Sequence, residues 1–219
     1  MTPEKYKYKL FGRFKGRKKI LSNEFDCINK YRVNIDLDIK KNKYNILDIG
    51  SGNGENAIYL SNTYPKSKII ACDLYLDGNI NLCNEIIKKN INNITLFDGN
   101  VLEFLDKLQK KDIFDEVWIL FPDPWPKIRH HKRRLINNVF LNIIHSFLKK
   151  SGKLMIATDS NSYIESILST IDASKKIFLW QNKKPVDNIY QNLELPNTKF
   201  YQKALKSNRN PMFFRLKKI

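Results

Sequence analysis

Cysteine is scarce in this chain: Cys27, Cys72 and Cys83 are odd in number and scattered in spacing, so neither a disulfide framework nor a CxxC metal site is readable. The three histidines, His130, His131 and His145, have no neighbouring cysteine or paired acid that would make them zinc ligands, and no metal is expected. No apolar run approaches the roughly 20 residues of a membrane helix, and the N-terminus lacks the continuous apolar core of a secretory signal. A GK[ST] sequence is also missing, which excludes a P-loop. These absences describe a reduced, cytoplasmic protein that touches no membrane.

Acids are in short supply as well. The 219 residues hold 22 Asp+Glu against 39 Lys+Arg, a net charge of +17, while 42% hydrophobic and 12% aromatic residues still allow a real core. A surplus of that size favours a polyanionic partner. AT-rich codon usage would spread lysine diffusely, yet residues 1–20 hold eight Lys/Arg and one Glu, and residues 127–134 (KIRHHKRR) hold five and no acid. Residues 1–25 lack apolar periodicity and predict a basic arm ordered by a partner, followed by a single domain over 26–219. No amphipathic interface stands out, so a monomer without an obligatory protein partner is expected.

From Asn45 onward, short apolar runs alternate with longer amphipathic stretches, the pattern of βαβ units and a mostly parallel sheet. The runs are 45–50, 68–73, 93–98, 115–121 and 153–159, with helices near 54–63, 77–90, 101–110, 133–149 and 161–172. A weaker strand at 176–180, a polar surface loop over 182–198 and a last strand around 211–217 follow. Acids stand at or beyond the strand ends: Asp48, Asp73, Asp98, Asp123 and Asp159. Ligands of open α/β sheets bind outside those carboxyl ends, so the acids point to a cationic or hydroxyl-rich ligand, although helix capping accounts for one or two of them.

Asp48-Ile49-Gly50-Ser51-Gly52-Asn53-Gly54-Glu55 leaves a strand and opens a helix. A dinucleotide fingerprint needs G-x-G-x-x-G, and its third glycine would fall on Glu55, whose carboxylate would repel a pyrophosphate at the helix N-terminus. S-adenosylmethionine suits the turn better: it has no phosphate, it is cationic, and Gly50 and Gly52 let its methionine end approach the backbone. Asp73, 23 residues beyond Gly50, is placed to hold both ribose hydroxyls. Asn100 either reads the adenine edge or is an ordinary turn residue.

Phe121-Pro122-Asp123-Pro124-Trp125-Pro126-Lys127 has three prolines at alternate positions, which fix φ and forbid helix. Such a loop holds one carboxylate and one aromatic in place; Trp125 either belongs to that presentation or plugs the core. The run FPDPWPK-I-RHHKRRL resembles the hallmark of the bacterial tRNA (guanine-N7-)-methyltransferases. The likeness extends to GRFKGRKK, LDIGSGNGE, ACD, FDGNV, ATD and LPNTKF. It implies a Rossmann-like class I methyltransferase fold, with a mostly parallel seven-stranded sheet and helices on both faces. It also implies methyl transfer from S-adenosylmethionine, leaving S-adenosylhomocysteine, to N7 of a variable-loop guanosine in tRNA.

Carried over by position, the resemblance makes Asp48, Asp73, Asn100 and Asp123 the cofactor set and Asp123 the catalytic aspartate. Lys127, Asp159, Thr198, Lys199, Phe200 and Tyr201 become substrate contacts, and Arg129, His130, His131, Lys132, Arg133 and Arg134 become RNA contacts. Three positions depart from the family pattern. Asp48 stands where Glu is usual, Lys150-Ser151-Gly152 replaces a Pro-Gly-Gly turn, and Tyr201 replaces the Glu that ends the TKF motif. A methyltransferase acting elsewhere on RNA or DNA, or a tRNA-binding homologue with weak catalysis, are the competing readings. Either would be separated by testing methyl transfer and its acceptor atom.

Overall fold

The computed structural model describes residues 22–39, 43–190 and 193–219. Two short helices come first, α1 (Ser22–Tyr31) and α2 (Ile35–Asp38), and then strands and helices alternate. The series runs β1 (Asn45–Ile49), α3 (Glu55–Thr63), β2 (Lys68–Cys72), α4 (Leu76–Lys88), β3 (Ile94–Phe97), α5 (Val101–Lys107) and β4 (Phe114–Leu120). It continues with α6 (Asn138–Phe147), β5 (Leu148–Thr158), α7 (Asn161–Ala173), β6 (Phe178–Trp180), α8 (Lys199–Lys206) and β7 (Met212–Lys218). The seven strands form one sheet in the order β3-β2-β1-β4-β5-β7-β6. Pairing is parallel from β3 to β5, and β7 runs antiparallel to both of its neighbours. The mostly parallel seven-stranded sheet is therefore as expected.

The apolar runs are continuous because both faces of the sheet are covered. All five residues of β1 are buried. Leu47 and Ile49 join Phe104, Val117, Leu141 and Ile167 on one face, whereas Ile46 joins Leu60, Leu82, Trp118 and Met155 on the other. The chain lays down β1, β2 and β3 outward and returns to place β4 on the free side of β1. That reversal opens a crevice beyond the carboxyl ends of β1 and β4, the usual ligand position of doubly wound sheets.

Several elements differ from the sequence reading. The arm expected over 1–25 lies mostly outside the described residues, and Ser22 already begins α1. α1 packs on α4, and the segment after it lies along β3, with Val33 N–H donating to the Leu96 carbonyl (2.7 Å). Arg32 grips Asp98 through two hydrogen bonds (2.9 and 2.7 Å), so that strand-end acid is engaged by the protein itself. The helix expected from 133 starts only at Asn138, after a 3-10 turn over Ile128–Arg133, because Asn137 caps it by accepting from Phe140 N–H (3.0 Å). β5 begins at Leu148, five residues before its expected start.

The polar stretch 182–198 is anchored rather than a plain surface loop. Tyr190 is fully buried, its hydroxyl donates to the Pro196 carbonyl (2.7 Å), and Asn182 donates to the Phe213 carbonyl (3.1 Å). No helix among the described residues is long and apolar enough to cross a membrane.

Candidate active site

The loop after β1 turns through three left-handed glycines, Gly50 (φ 72°), Gly52 (φ 55°) and Gly54 (φ 87°), a conformation that strains residues with a Cβ. Nothing lies within 4 Å of where a Cβ would stand on Gly50 or Gly52, so the loop borders open space. Its back is closed by α4: a Cβ on Gly78 would collide with the Gly52 carbonyl. Asp73 clips the same loop, accepting from Gly52 N–H (2.7 Å) through one oxygen and from Tyr75 N–H (2.8 Å) through the other. Each oxygen keeps a second lone pair, so ribose hydroxyls remain acceptable partners. Asn79 donates to the Asp73 carbonyl (3.0 Å) and fixes the turn from behind.

Asp48 is buried, with 1% of its surface exposed. Asn56 of α3 donates to one of its oxygens (2.7 Å), while the other has no hydrogen-bond partner among the described residues. Burial, followed by repulsion from Asp73 and Glu55, raises its pKa to about 7 against the help of Asn56. A buried acid with one unsatisfied oxygen beside a hollow glycine turn suits a cationic ligand. Asn100 caps α5 by accepting from Leu102 N–H (2.8 Å), and its side-chain nitrogen remains as a donor. The turn-residue alternative for Asn100 is thus realised, without excluding the other.

Across the crevice, β4 passes into the proline-locked loop. Phe121 N–H still donates to the Ala157 carbonyl (2.8 Å), but Phe121 (φ 54°) and Trp125 (φ 44°) are both left-handed, strained for aromatic residues. Asp123 is exposed, and no hydrogen bond holds its carboxylate among the described residues. The protein around it nevertheless raises its pKa, by desolvation first and by the charge of Asp73 second. Exposure and desolvation coexist where a side chain lines a concave surface. Trp125 does not plug the core: it is half-buried, edge-on to His130 (5.9 Å) and beneath the Arg133 guanidinium (4.9 Å).

The expected RNA segment splits in two. Arg129 and Lys132 are exposed on the 3-10 turn, beside Ile128 with 85% of its surface in solvent, and Lys127 is exposed just before them. Arg134 faces inward and is only 5% exposed. Its donors go to protein carbonyls and a serine, unlike those of the exposed Arg129.

The expected substrate contacts also divide. Asp159 accepts from Arg209 Nε (2.7 Å) just beyond the end of β5, so this strand-end acid, like Asp98, is engaged by the protein itself. Thr198 is buried and caps α8 through Tyr201 N–H (3.1 Å), leaving Lys199 and Phe200 exposed on the first turn. Tyr201 lies on Tyr190 (4.6 Å), which also meets Phe121 (5.5 Å). Asn56, Gly78, Asn79 and Tyr190 were not identified from the sequence. For Asn56, Gly78 and Asn79, polar or glycine residues at the starts of helices flanking a glycine turn were the available signal; Tyr190 offered none.

A family model described as "Putative methyltransferase" matches residues 42–214. The tRNA (guanine-N(7)-)-methyltransferase of Wolbachia pipientis wMel is 32% identical over 96% of this chain and 94% of its own length. The enzyme of the same name from Nitrosomonas europaea is 32% identical over 80% of this chain and 76% of its own. Among solved structures, a Streptococcus mutans protein described in the family model's words and solved in complex with SAH aligns with a TM-score of 0.51. It is 16% identical and covers 92% of this chain and 99% of its own, a likeness of fold.

Proposed function

The chain belongs to the tRNA (guanine-N(7)-)-methyltransferase family, and from that premise we propose how its residues divide the reaction. The chain is a methyltransferase that modifies N7 of guanine in tRNA. The observation that carries the residue assignment is the pairing across one crevice of two unlike carboxylates. Asp48 is buried with an unpartnered oxygen beside an open glycine turn, and Asp123 is exposed on a locked loop.

S-adenosylmethionine, when bound, supplies a methyl group on a positively charged sulfur. Asp48 and the Gly50–Gly52 backbone hold its methionine end, Asp73 accepts from its ribose hydroxyls, and Asn100 donates toward its adenine. Guanine N7 has an in-plane lone pair and no proton, so the protein needs no general base. Its task is alignment, for which effective molarity supplies roughly 7–11 kcal/mol, together with a fixed field that offsets charge passing to the purine. Asp123 accepts hydrogen bonds from guanine N1–H and the 2-amino group, a donor pair that adenine lacks. Lys127, Asp159 and the first turn of α8 border the entering nucleotide. Arg129, Lys132 and the basic arm hold phosphates while the base leaves the tRNA body, in the cytoplasm and without an obligatory protein partner.

Incubation with methyl-labelled S-adenosylmethionine and an unmodified tRNA transcript tests the reaction. Label is expected at one guanosine that becomes a strand break after alkali treatment; label without that break would move the acceptor to another atom. Deleting residues 1–20, with eight basic residues and one acid, should weaken tRNA binding and flatten its salt dependence, by about 0.7–0.9 in log–log slope for each phosphate the arm neutralises. Affinity for S-adenosylmethionine should stay unchanged. An unaltered slope would remove the arm from the RNA interface.

A further inference from the structure

Arg134 closes a basic run in which Lys127, Arg129 and Lys132 are exposed, yet its own guanidinium is consumed inside the protein. Nε donates to the Pro124 carbonyl (2.9 Å) and Nη1 to the Ser162 carbonyl (2.9 Å). Nη2 donates to Ser162 Oγ (2.9 Å) and to His131 Nε2 (3.0 Å). The guanidinium carbon lies over the Tyr163 ring (4.9 Å), and the Tyr163 hydroxyl in turn accepts from Ile136 N–H (2.9 Å). Four of five donors are therefore spent on neutral acceptors, and the side chain has no open edge to offer a phosphate.

One of those acceptors belongs to the residue next to Asp123. Pro124 lies between the carboxylate and Trp125, whose left-handed backbone (φ 44°) is held only if the surroundings over-determine it. The other acceptors belong to the first turn of α7 and to the 3-10 turn. We propose that Arg134 is a positioning residue: it ties the Asp123 loop to the start of α7 and sets where the Asp123 carboxylate stands, without touching RNA. This rests on the assignment of Asp123 to the guanine. Lysine cannot replace it, since a single ammonium does not reproduce a planar fork that meets acceptors on three sides.

The test compares Arg134→Lys with Arg129→Gln in single-turnover methyl transfer, tRNA binding across a salt series, and S-adenosylmethionine binding. Misplacing a reacting group by about 1 Å costs on the order of 100-fold in rate. Arg134→Lys should therefore slow transfer by about 10- to 100-fold, with tRNA affinity, its salt slope and cofactor affinity unchanged. Arg129→Gln should lower tRNA affinity and the slope by about 0.7–0.9.

A fall in the salt slope for Arg134→Lys would make Arg134 a phosphate contact and overturn the proposal. So would an unchanged transfer rate. Should Arg134→Lys not fold, Ser162→Ala removes one acceptor and leaves Arg134 in place. Transfer should then slow a few-fold at constant tRNA affinity, and an unaltered rate overturns the tie. Normal transfer by Asp123→Ala would instead refute the role of Asp123, a result independent of these outcomes.

Discussion

Asp123→Ala is expected to slow methyl transfer to tRNA by about 100-fold or more at saturating cofactor, while affinity for S-adenosylmethionine shifts by less than about threefold. The magnitude follows from removing one preorganised partner from a reacting centre, typically 10²–10³ in rate. The asymmetry follows from the fold: Asp48 is buried near the end of β1, before the glycine loop, whereas Asp123 follows β4 and is exposed. Asp123→Asn should be nearly as slow, because an amide nitrogen would face the N1–H donor. Since desolvation by its surroundings and the charge of Asp73 raise the Asp123 pKa, transfer by the parent enzyme should fade on the acid side at a higher pH than an ordinary aspartate would give. Rapid-quench transfer and equilibrium cofactor binding separate the two effects. Equal losses in both would place Asp123 with the cofactor rather than the guanine.

The parallel half of the sheet was legible in the sequence because a strand buried on both faces is mainly apolar, and NILDI, KIIAC and FDEVWIL each carry a short apolar run flanked by a few polar residues. Helices α1 and α8 were less legible. They are short and carry few apolar residues among many polar ones, and α8 buries only Ala204. Asp48, Asp73 and Asp123 were readable from position in the chain, since strand ends and proline spacing are local facts. Arg134 was not. In KRR the arginines look alike, and what turns the last one inward is Ser162, 28 residues further on. Tyr201 shows the same limit: its departure from the family's Glu is visible in the sequence, but its packing depends on Tyr190, which precedes α8, being buried.

The acid we propose for the cofactor also works against the fold, and Asp48→Asn should expose both sides of that exchange. In the unfolded chain Asp48 loses its proton near 3.8, and in the native chain near 7. Between those values the native state binds more protons than the unfolded one, so stability falls as pH rises through this window and stays low above it. The full effect is on the order of 4 kcal/mol. An amide in place of Asp48 keeps the bond from Asn56 but leaves its own N–H₂ without an acceptor, a penalty of about 1–3 kcal/mol.

The variant should therefore melt several degrees higher than the parent at pH 8. The gap should close and then reverse toward pH 4, where the parent's carboxyl is protonated and only the variant's unpaired amide remains as a cost. Loss of a buried charge opposite a cation should weaken S-adenosylmethionine binding by about 100-fold. In the parent that affinity should fall as pH drops below about 7, with a proton released on binding. In the variant it should be flat. Calorimetry in buffers of different ionisation enthalpy reads both quantities. A parent affinity that is level from pH 8 to 5.5 would mean that the carboxylate of Asp48 does not face the cofactor's charge.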